Sequence, residues 1–464
     1  MRILLTMPFD RDYKWSGPDL GLGYLAAALR QQAHSVALLL QPNLFESPGA
    51  LRDFLVRGAY DLVGIKTYSS QLSATRQTIA LVRDALPNAC VVIGGPHVSG
   101  DPVHAFDYVP QADYAVQSEA EVSLPSLAHH LQDATSDPSL LATIPGLVWR
   151  DLHRVVVNPI QWIDDLDTIP FPAWDLMPPA SFPDRPFNGH SRRRPVAPMI
   201  LTRGCPYACS FCGASRINGK RVRSRSATDV MQEIRLLTEQ YGVREIQFYD
   251  SNCASRQGPM RQVLSQMIAE GIDVTWSAPN GIRLDSVDED LVRLMKASGC
   301  YQVNVGIESG SERILRQVSK GLRLGTVERA TRLLHLGGIE VVGFFMLGFP
   351  GETRDDIRQT IDLAMRLPLS GASFSIYCPL PGTSDYDALI AEGKLSQEQV
   401  EQFDFVRYEN QLSELSYAEL RRIQRQAYLR FHLRPRVIST LLQSLNSLDK
   451  LGFLLAQVQD KVFD

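Results

Sequence analysis

Three cysteines within eight residues constrain this chain more than any other feature. Cys205, Cys209 and Cys212 stand as C-x3-C-x2-C in TRGCPYACSFCGAS, while the other four cysteines of the 464 residues are scattered singly. Three thiolates so close together can hold three irons of a four-iron four-sulfur cluster and leave one iron without a protein ligand. A closed structural zinc site would want a fourth ligand, which Cys253 or a histidine could lend, and buried free thiols are the remaining reading. The run MILTRG reads as a strand that delivers Cys205, so the triplet begins where a strand ends.

Around this stretch the chain alternates short aliphatic runs with amphipathic helical patterns, which argues parallel sheets. In residues 1 to about 130, strands are expected at Arg2 to Met7, Ser35 to Leu40, Leu62 to Lys66, Val91 to Gly94 and Tyr114 to Gln117, a doubly wound, Rossmann-like α/β domain. Ligands of such sheets sit at the carboxyl ends of the strands, here the loops Pro8 to Leu22, Thr67 to Leu72 and Gly94 to Ser99. No G-x-G-x-x-G follows the first strand, so a dinucleotide site is not indicated. Residues 136–195 turn proline-rich and read as a linker holding a small hairpin, IPGLVWRDLHRVVVNP. Alternation resumes over residues 196–395, with further strands at Glu245 to Tyr249, Val274 to Ala278, Gln302 to Gly306, Val341 to Leu347 and Ser373 to Tyr377, enough for a partial (β/α)6 barrel. Residues 396–464 form a C-terminal helical region. The first domain is assigned residues 1–135.

Composition narrows the classes of function. A formal net charge of −4 provides no global basic field for nucleic acid. The apolar run at Met1 to Leu5 is too short for a signal peptide, nothing reaches the length of a membrane span, and seven cysteines with one tight triplet fit a reducing cytosol.

The triplet, with Phe211 directly before its third cysteine, resembles the cluster motif of the radical S-adenosylmethionine (SAM) enzymes. The resemblance implies that SAM chelates the open iron and is cleaved there to a 5′-deoxyadenosyl radical. It further implies that Asp250 and Asn252 in FYDSNC contact the SAM amino group. Glu308 and Ser309 in VNVGIESGSERIL would contact the ribose, and Gly348 in VGFFMLGFPGET would line the adenine and backbone. For Glu308 an ion pair with Arg313 or Arg283 is the alternative. Cys378 and Cys253 are weak candidates for a hydrogen donor to substrate, a small core thiol being the commoner fate.

GPDLGLGYLAAALRQQAHSVALL, DLVGIKTYSSQLSATRQTIALVR and VVIGGPHVSGDP resemble the cobalamin-binding domain that precedes the radical SAM domain in one large subgroup. On that resemblance Thr67, Tyr68, Ser69, Ser70, Gly94, Gly95 and His97 are the cobalamin-binding candidates. Glycines at a strand end let backbone approach a bulky ligand, and hydroxyls supply contacts. The Asp-x-His-x-x-Gly motif that puts a histidine on cobalt is absent; His97 is expected to orient the Gly94-Gly95 loop or a phosphate rather than to bind cobalt. Where the subgroup carries Gly-Glu-Gly-Glu this chain reads Gln117-Ser118-Glu119-Ala120-Glu121, losing both glycines of that turn.

Together the two resemblances imply a cobalamin-dependent radical SAM methyltransferase with a [4Fe–4S] cluster, SAM and cobalamin. Its substrate would be an unactivated carbon or phosphorus of a small-molecule, natural-product or lipid precursor, and its electron donor a flavodoxin or ferredoxin. A radical cyclase, ring-contraction or rearrangement enzyme could use the same apparatus without methyl transfer. A non-catalytic cobalamin sensor is the rival from another class. A methylthiotransferase is disfavoured, because the first domain holds only Cys90 where a second cluster needs three cysteines. The arginine-rich stretch from Arg421 to Arg436, followed by an amphipathic run, reads as a helical cap on the barrel, with peripheral membrane contact as the second reading.

Overall fold

A computed structural model of the chain describes residues 1–10, 17–133, 137–152, 154–182, 191–255, 258–396, 408–435 and 437–438. They gather into two compact units, one of Met1–Ser181, Phe211–Lys220 and Pro379–Asp404, the other of Phe182–Ser210, Arg221–Cys378 and Phe405–Asp464.

The first unit is built on seven strands: β1 (Arg2–Thr6), β2 (Ser35–Leu39), β3 (Leu62–Lys66), β4 (Cys90–Gly94), β5 (Tyr114–Val116), β6 (Leu147–Asp151) and β7 (Arg154–Val157). The sheet runs β2-β1-β3-β4-β5-β6-β7, and its first five strands are parallel. Ile3, Leu4, Leu62, Val63, Val91 and Ile93 are wholly buried, as expected of parallel strands covered on both faces. The five strands foreseen from sequence are present to within a residue at each end. The hairpin, β6 and β7, was expected within the linker; instead β6 pairs antiparallel with β5 and extends the sheet. Helix Leu20–Gln31 follows β1 and is capped by Asp19, whose side chain accepts from the Leu22 amide at 2.9 Å. Strand order reverses between β1 and β3, and this opens a crevice at their carboxyl ends.

The second unit contains β8 (Val196–Met199), β9 (Thr202–Arg203), β10 (Arg223–Ser224), β11 (Glu245–Phe248), β12 (Thr275–Ile282), β13 (Cys300–Glu308), β14 (Glu340–Leu347) and β15 (Gly371–Ile376). Six of these form a parallel sheet in chain order, β15-β14-β13-β12-β11-β8. Strands laid side by side in sequence, each followed by a helix, are the (β/α)6 arrangement expected. At their amino ends the buried Glu245 carboxylate accepts from the Arg192 and Arg193 amides and from the Tyr301 hydroxyl. At one edge helix Tyr417–His432 covers β15: Gln424 donates to the Phe374 carbonyl at 2.7 Å, and Phe374 packs among Phe345, Tyr428 and Phe431.

That helix is therefore a cap on the sheet. Arg434 donates to the carbonyls of Met365 and Leu369, and Arg421 pairs with Gln424, so the membrane contact has no support among the described residues. The amphipathic run that follows falls almost wholly in residues 439–464 and lies outside them. No helix among the described residues is long and apolar enough to cross a membrane. Residues 379–395, assigned to the barrel domain from sequence, group instead with the first unit.

Candidate cofactor sites

The cysteine stretch leaves β8 through a braced turn. Asp250, at the end of β11 and 2% exposed, accepts from the Leu201 amide at 3.0 Å, the Thr202 amide at 2.6 Å and the Thr202 hydroxyl at 2.7 Å. Burial pushes its carboxyl up to about 6, against the pull of those bonds. Asp250, expected to meet the SAM amino group, thus has both oxygens engaged in holding the strand end. A short antiparallel ladder of β9 with β10 closes the base of the stretch. Beneath it the buried Arg225 guanidinium joins Glu233, Asp229 and the Ile200 carbonyl.

Cys205, Cys209 and Cys212 are outside any disulfide, the first two half-buried and the third exposed. Tyr207, between the first two, lies with its ring 3.6 Å from the Arg283 guanidinium. Burial pushes the Cys209 thiol up, while Lys320 and Arg283 pull it down. Three thiols within eight residues, one of them beside two cations, are a donor set that fits iron ligation. Among the described residues no three His, Cys, Asp or Glu groups are arranged to hold a single metal ion. Arg283 also donates to Asp285 and to the Lys320 carbonyl, and its own amide donates to Asn252 Oδ1 at 3.2 Å. Asn252 therefore anchors the end of β12.

Glu308 ends β13 at a register shift against β14, with φ of +67°. A side chain held in the left-handed region is strained by about 1 to 2 kcal/mol, and such strain gathers at ligand sites. Its carboxylate accepts from Lys320 Nζ at 2.7 Å, and the pair is nearly buried. The ion pair weighed from sequence exists, but its partner is Lys320. Arg313 pairs instead with Asp356, and Arg283 with Asp285. A Cβ at Gly306 would stand 2.5 Å from Glu308 Oε1 and 2.8 Å from Lys320 Nζ, so the pair folds over this glycine and a larger residue would push the two charged ends aside.

Ser309, expected on the ribose, is wholly buried; its hydroxyl meets Thr360 at 3.0 Å and accepts from the Ser311 amide. It ties β13 to helix Arg354–Arg366. Gly348 has φ of +92°, and a Cβ there would stand 2.9 Å from Leu420. Its amide donates to Glu352 at 2.5 Å, and its carbonyl accepts from Asn410, which also holds the Tyr377 carbonyl. Burial pushes Glu352 up to about 7, and its Oε1 has no hydrogen-bond partner. Cys253 is fully buried, which pushes its thiol far up, and Cys378 is 9% exposed. Cys253 is thereby a core thiol.

In the first unit the loops after β3 and β4 cross backbone on backbone. The Thr67 amide donates to the Gly94 carbonyl, the His97 amide donates to the Thr67 carbonyl, and a Cβ at Gly95, where φ is +96°, would stand 3.1 Å from that carbonyl oxygen. Thr67 is wholly buried, its hydroxyl turned back to the Ile65 carbonyl, so it joins the two loops. Ser69 and Tyr68 are half-buried and Ser70 is exposed. His97 is 1% exposed; its Nδ1 bonds Ser69 Oγ at 3.0 Å, and its Nε2 is buried without a hydrogen-bond partner. Burial lowers its pKa to about 4, so the imidazole is neutral. The Nδ1 bond fits the expected part in orienting a loop, while Nε2 is left buried and unpaired.

Two features here escaped the sequence reading. Lys66, at the carboxyl end of β3, pairs with Asp19 at 2.6 Å across the strand-order reversal; burial pulls the ammonium down, and Asp19 more than reverses it. Ser118 takes φ of +63° in the turn that lost its glycines, its amide donating to Ser99 Oγ at 2.8 Å and its hydroxyl to the Ile217 carbonyl at 2.5 Å. The turn survives because hydrogen bonds hold a serine in a glycine's conformation. A glycine-backed crevice edged by Tyr68, Ser69 and Ser70 fits a bulky cofactor with a hydrogen-bonding tail.

Residues 12–128 match the B12 binding domain family and residues 199–364 the Radical SAM superfamily. The chain is 30% identical over 446 residues, 94% of each protein, to an uncharacterized methyltransferase of Pyrococcus horikoshii. It is 28% identical over 454 residues, 86% of this chain and 83% of the relative, to the cytidylyl-2-hydroxyethylphosphonate methyltransferase of Streptomyces wedmorensis. An anaerobic magnesium-protoporphyrin IX monomethyl ester cyclase of Rubrivivax gelatinosus is 23% identical over 88% of this chain and 72% of its own. The fold is shared with the radical SAM methyltransferase TsrM from Kitasatospora setae, at TM-score 0.69 and 22% identity over 84% of this chain and 78% of that one. It is shared also with the cobalamin-dependent radical SAM enzyme OxsB, at TM-score 0.76 and 16% identity over 99% and 71%.

Proposed function

The chain belongs to the radical SAM enzymes that carry a B12-binding domain, and from that premise we propose that it is a cobalamin-dependent methyltransferase. Its substrate is an unactivated carbon or phosphorus centre in a small molecule, with a natural-product or lipid precursor as the class. Similarity to a methyltransferase along 94% of both chains carries the reading. When bound, a [4Fe–4S] cluster supplies the electron that cleaves SAM, and cobalamin supplies the methyl carrier.

The chain's own residues serve those groups in distinct ways. Cys205, Cys209 and Cys212 are the proposed iron ligands. Arg283 and Lys320 favour the Cys209 thiolate, and Asp250 fixes the turn that leads to Cys205. Glu308, held by Lys320 at the carboxyl end of β13, is the proposed acceptor for ribose hydroxyls. The Gly348 turn, braced by Glu352 and Asn410, offers its backbone to the rest of SAM. Tyr68, Ser69 and Ser70, with Gly94 and Gly95 behind them, are the proposed cobalamin contacts, and His97 orients Ser69. A flavodoxin or ferredoxin is the proposed electron donor. A reducing cytosol is the proposed compartment, since all seven cysteines are free thiols.

Anaerobic reconstitution with cobalamin and SAM, followed by mass spectrometry of products from candidate substrates, tests the reading. Methylated product with both S-adenosylhomocysteine and 5′-deoxyadenosine is expected. SAM cleavage to 5′-deoxyadenosine with no S-adenosylhomocysteine would replace it with the cyclase or rearrangement reading, which the similarity to the Rubrivivax cyclase favours as second.

A further inference from the structure

The segment that follows β15 and Cys378 packs within the first unit, directly on the cobalamin-side loops. At Pro379–Gly382 the contact with residue 100 is backbone on backbone. A Cβ at Gly100 would stand 2.4 Å from the Pro381 carbonyl oxygen, and one at Gly382, where φ is +81°, would stand 2.6 Å from Gly100 Cα. Neither position accepts any other residue without moving the chain. Thr383 then caps helix Ser384–Ala391, its hydroxyl accepting from the Tyr386 amide at 3.2 Å.

That helix buries Tyr386 to 5% exposure and sets its hydroxyl beside that of Tyr108. Tyr108 donates to Asp101 Oδ2 at 3.3 Å, and Asp101 Oδ1 holds His104 Nδ1 at 2.8 Å. The Tyr108 ring meets His97 edge-on, with centroids 4.9 Å apart. His97 in turn holds Ser69 Oγ at 3.0 Å. A continuous set of contacts therefore runs from Tyr386 through Tyr108 and His97 to the loop after β3. His97 has nothing else to set its ring: its other nitrogen makes no bond.

We propose that the Pro379–Ala391 segment is a positioning element of the cobalamin site, with Tyr386 and the Gly100–Gly382 contact fixing His97 and, through it, Ser69. None of these residues touches the cofactor in this account; they decide where the loop that does so stands. The inference rests on the functional reading, since it presumes that the loop receives cobalamin. Part of what the cobalamin-binding domain needs for its ligand lies more than 280 residues downstream of His97 in the chain.

The test is the dissociation constant for aquacobalamin, read by absorbance on the anaerobically purified full chain carrying its cluster. Tyr386→Phe removes the hydroxyl that lies beside Tyr108 and should weaken binding by up to about tenfold. Gly382→Ala displaces the backbone contact and should weaken it further. His97→Ala should match or exceed Tyr386→Phe, while His97→Asn, which can still bond Ser69, should recover part of the loss, a rescue that a merely structural histidine would not give. Cluster absorbance should stay unchanged in all four. Wild-type protein that takes up no aquacobalamin would overturn both the functional reading and this inference. Wild-type affinity retained in Tyr386→Phe and His97→Ala would overturn the inference alone, whether or not Gly382→Ala folds.

Discussion

Glu308 allows the sharpest test, because its backbone and its side chain make separate claims. Replacing it with Ala or Gly removes the carboxylate from Lys320, whose side chain is 11% exposed. Breaking a nearly buried pair by removing one partner costs about 3 to 5 kcal/mol, or roughly 10 °C in thermal midpoint for a domain of this size. The backbone claim distinguishes the two substitutions. At φ of +67° alanine bears a left-handed strain of about 1 to 2 kcal/mol, whereas glycine bears none and gives back about 0.4 to 1 kcal/mol through its freer unfolded chain. Glu308→Gly should therefore be the more stable of the two by up to about 1.6 kcal/mol, the reverse of the order at an ordinary strand position. Anaerobic thermal denaturation ranks them, with Lys320→Met as the matching loss from the other side. In both Glu308 variants SAM affinity should fall by about tenfold to a hundredfold with cluster absorbance intact. Glu308→Ala as stable as Glu308→Gly would refute the strained backbone. Unchanged SAM affinity in both would remove Glu308 from the site.

Three further outcomes follow from the same geometry. Changing any one of Cys205, Cys209 or Cys212 to Ala should abolish cluster absorbance and SAM cleavage together; a triple variant that still cleaves SAM would end the assignment. Glu352, raised from 4.5 to about 7 chiefly by burial, favours folding when protonated, so its contribution is fully present below about pH 4.5 and is lost as pH rises through about 7. The loss amounts to about 3 kcal/mol; Glu352→Gln should flatten the thermal midpoint across that window, and a slope that persists in the variant would clear Glu352 of causing it. The cob(II)alamin form should show no protein-nitrogen superhyperfine splitting by electron paramagnetic resonance, because His97 is buried to 1% exposure with Nδ1 held by Ser69; splitting that vanishes in His97→Ala would contradict the buried imidazole.

Much of this architecture was legible in the chain itself. The aliphatic runs of both sheets announce their strands because a parallel strand covered on two faces needs an almost unbroken apolar sequence. The cysteine spacing, and the glycines at 94, 95 and 348, are local signals, each meaningful within a few residues. The hairpin of β6 and β7 was visible as a hairpin, but nothing in IPGLVWRDLHRVVVNP says that its first strand will pair with Val116 and Ala115.

Partner choice was decided only in three dimensions. Glu308 has arginines at 283 and 313 and a lysine at 320 within comparable reach along the sequence. The register shift at the end of β13 turns it toward Lys320, while Asp356 and Asp285 draw the two arginines away. Ser309 and Thr67 read as ligand contacts because they follow strands; burial against Thr360 and Ile65 turns their hydroxyls inward. Asn410 supports Gly348 from 62 residues away, and the Pro381 carbonyl lies against Gly100 from the far end of the chain. A sequence determines which segments become strands because that depends on a local pattern of apolar side chains. Which polar group meets which is set by the way distant strand ends and helices pack, and only the folded chain brings those together.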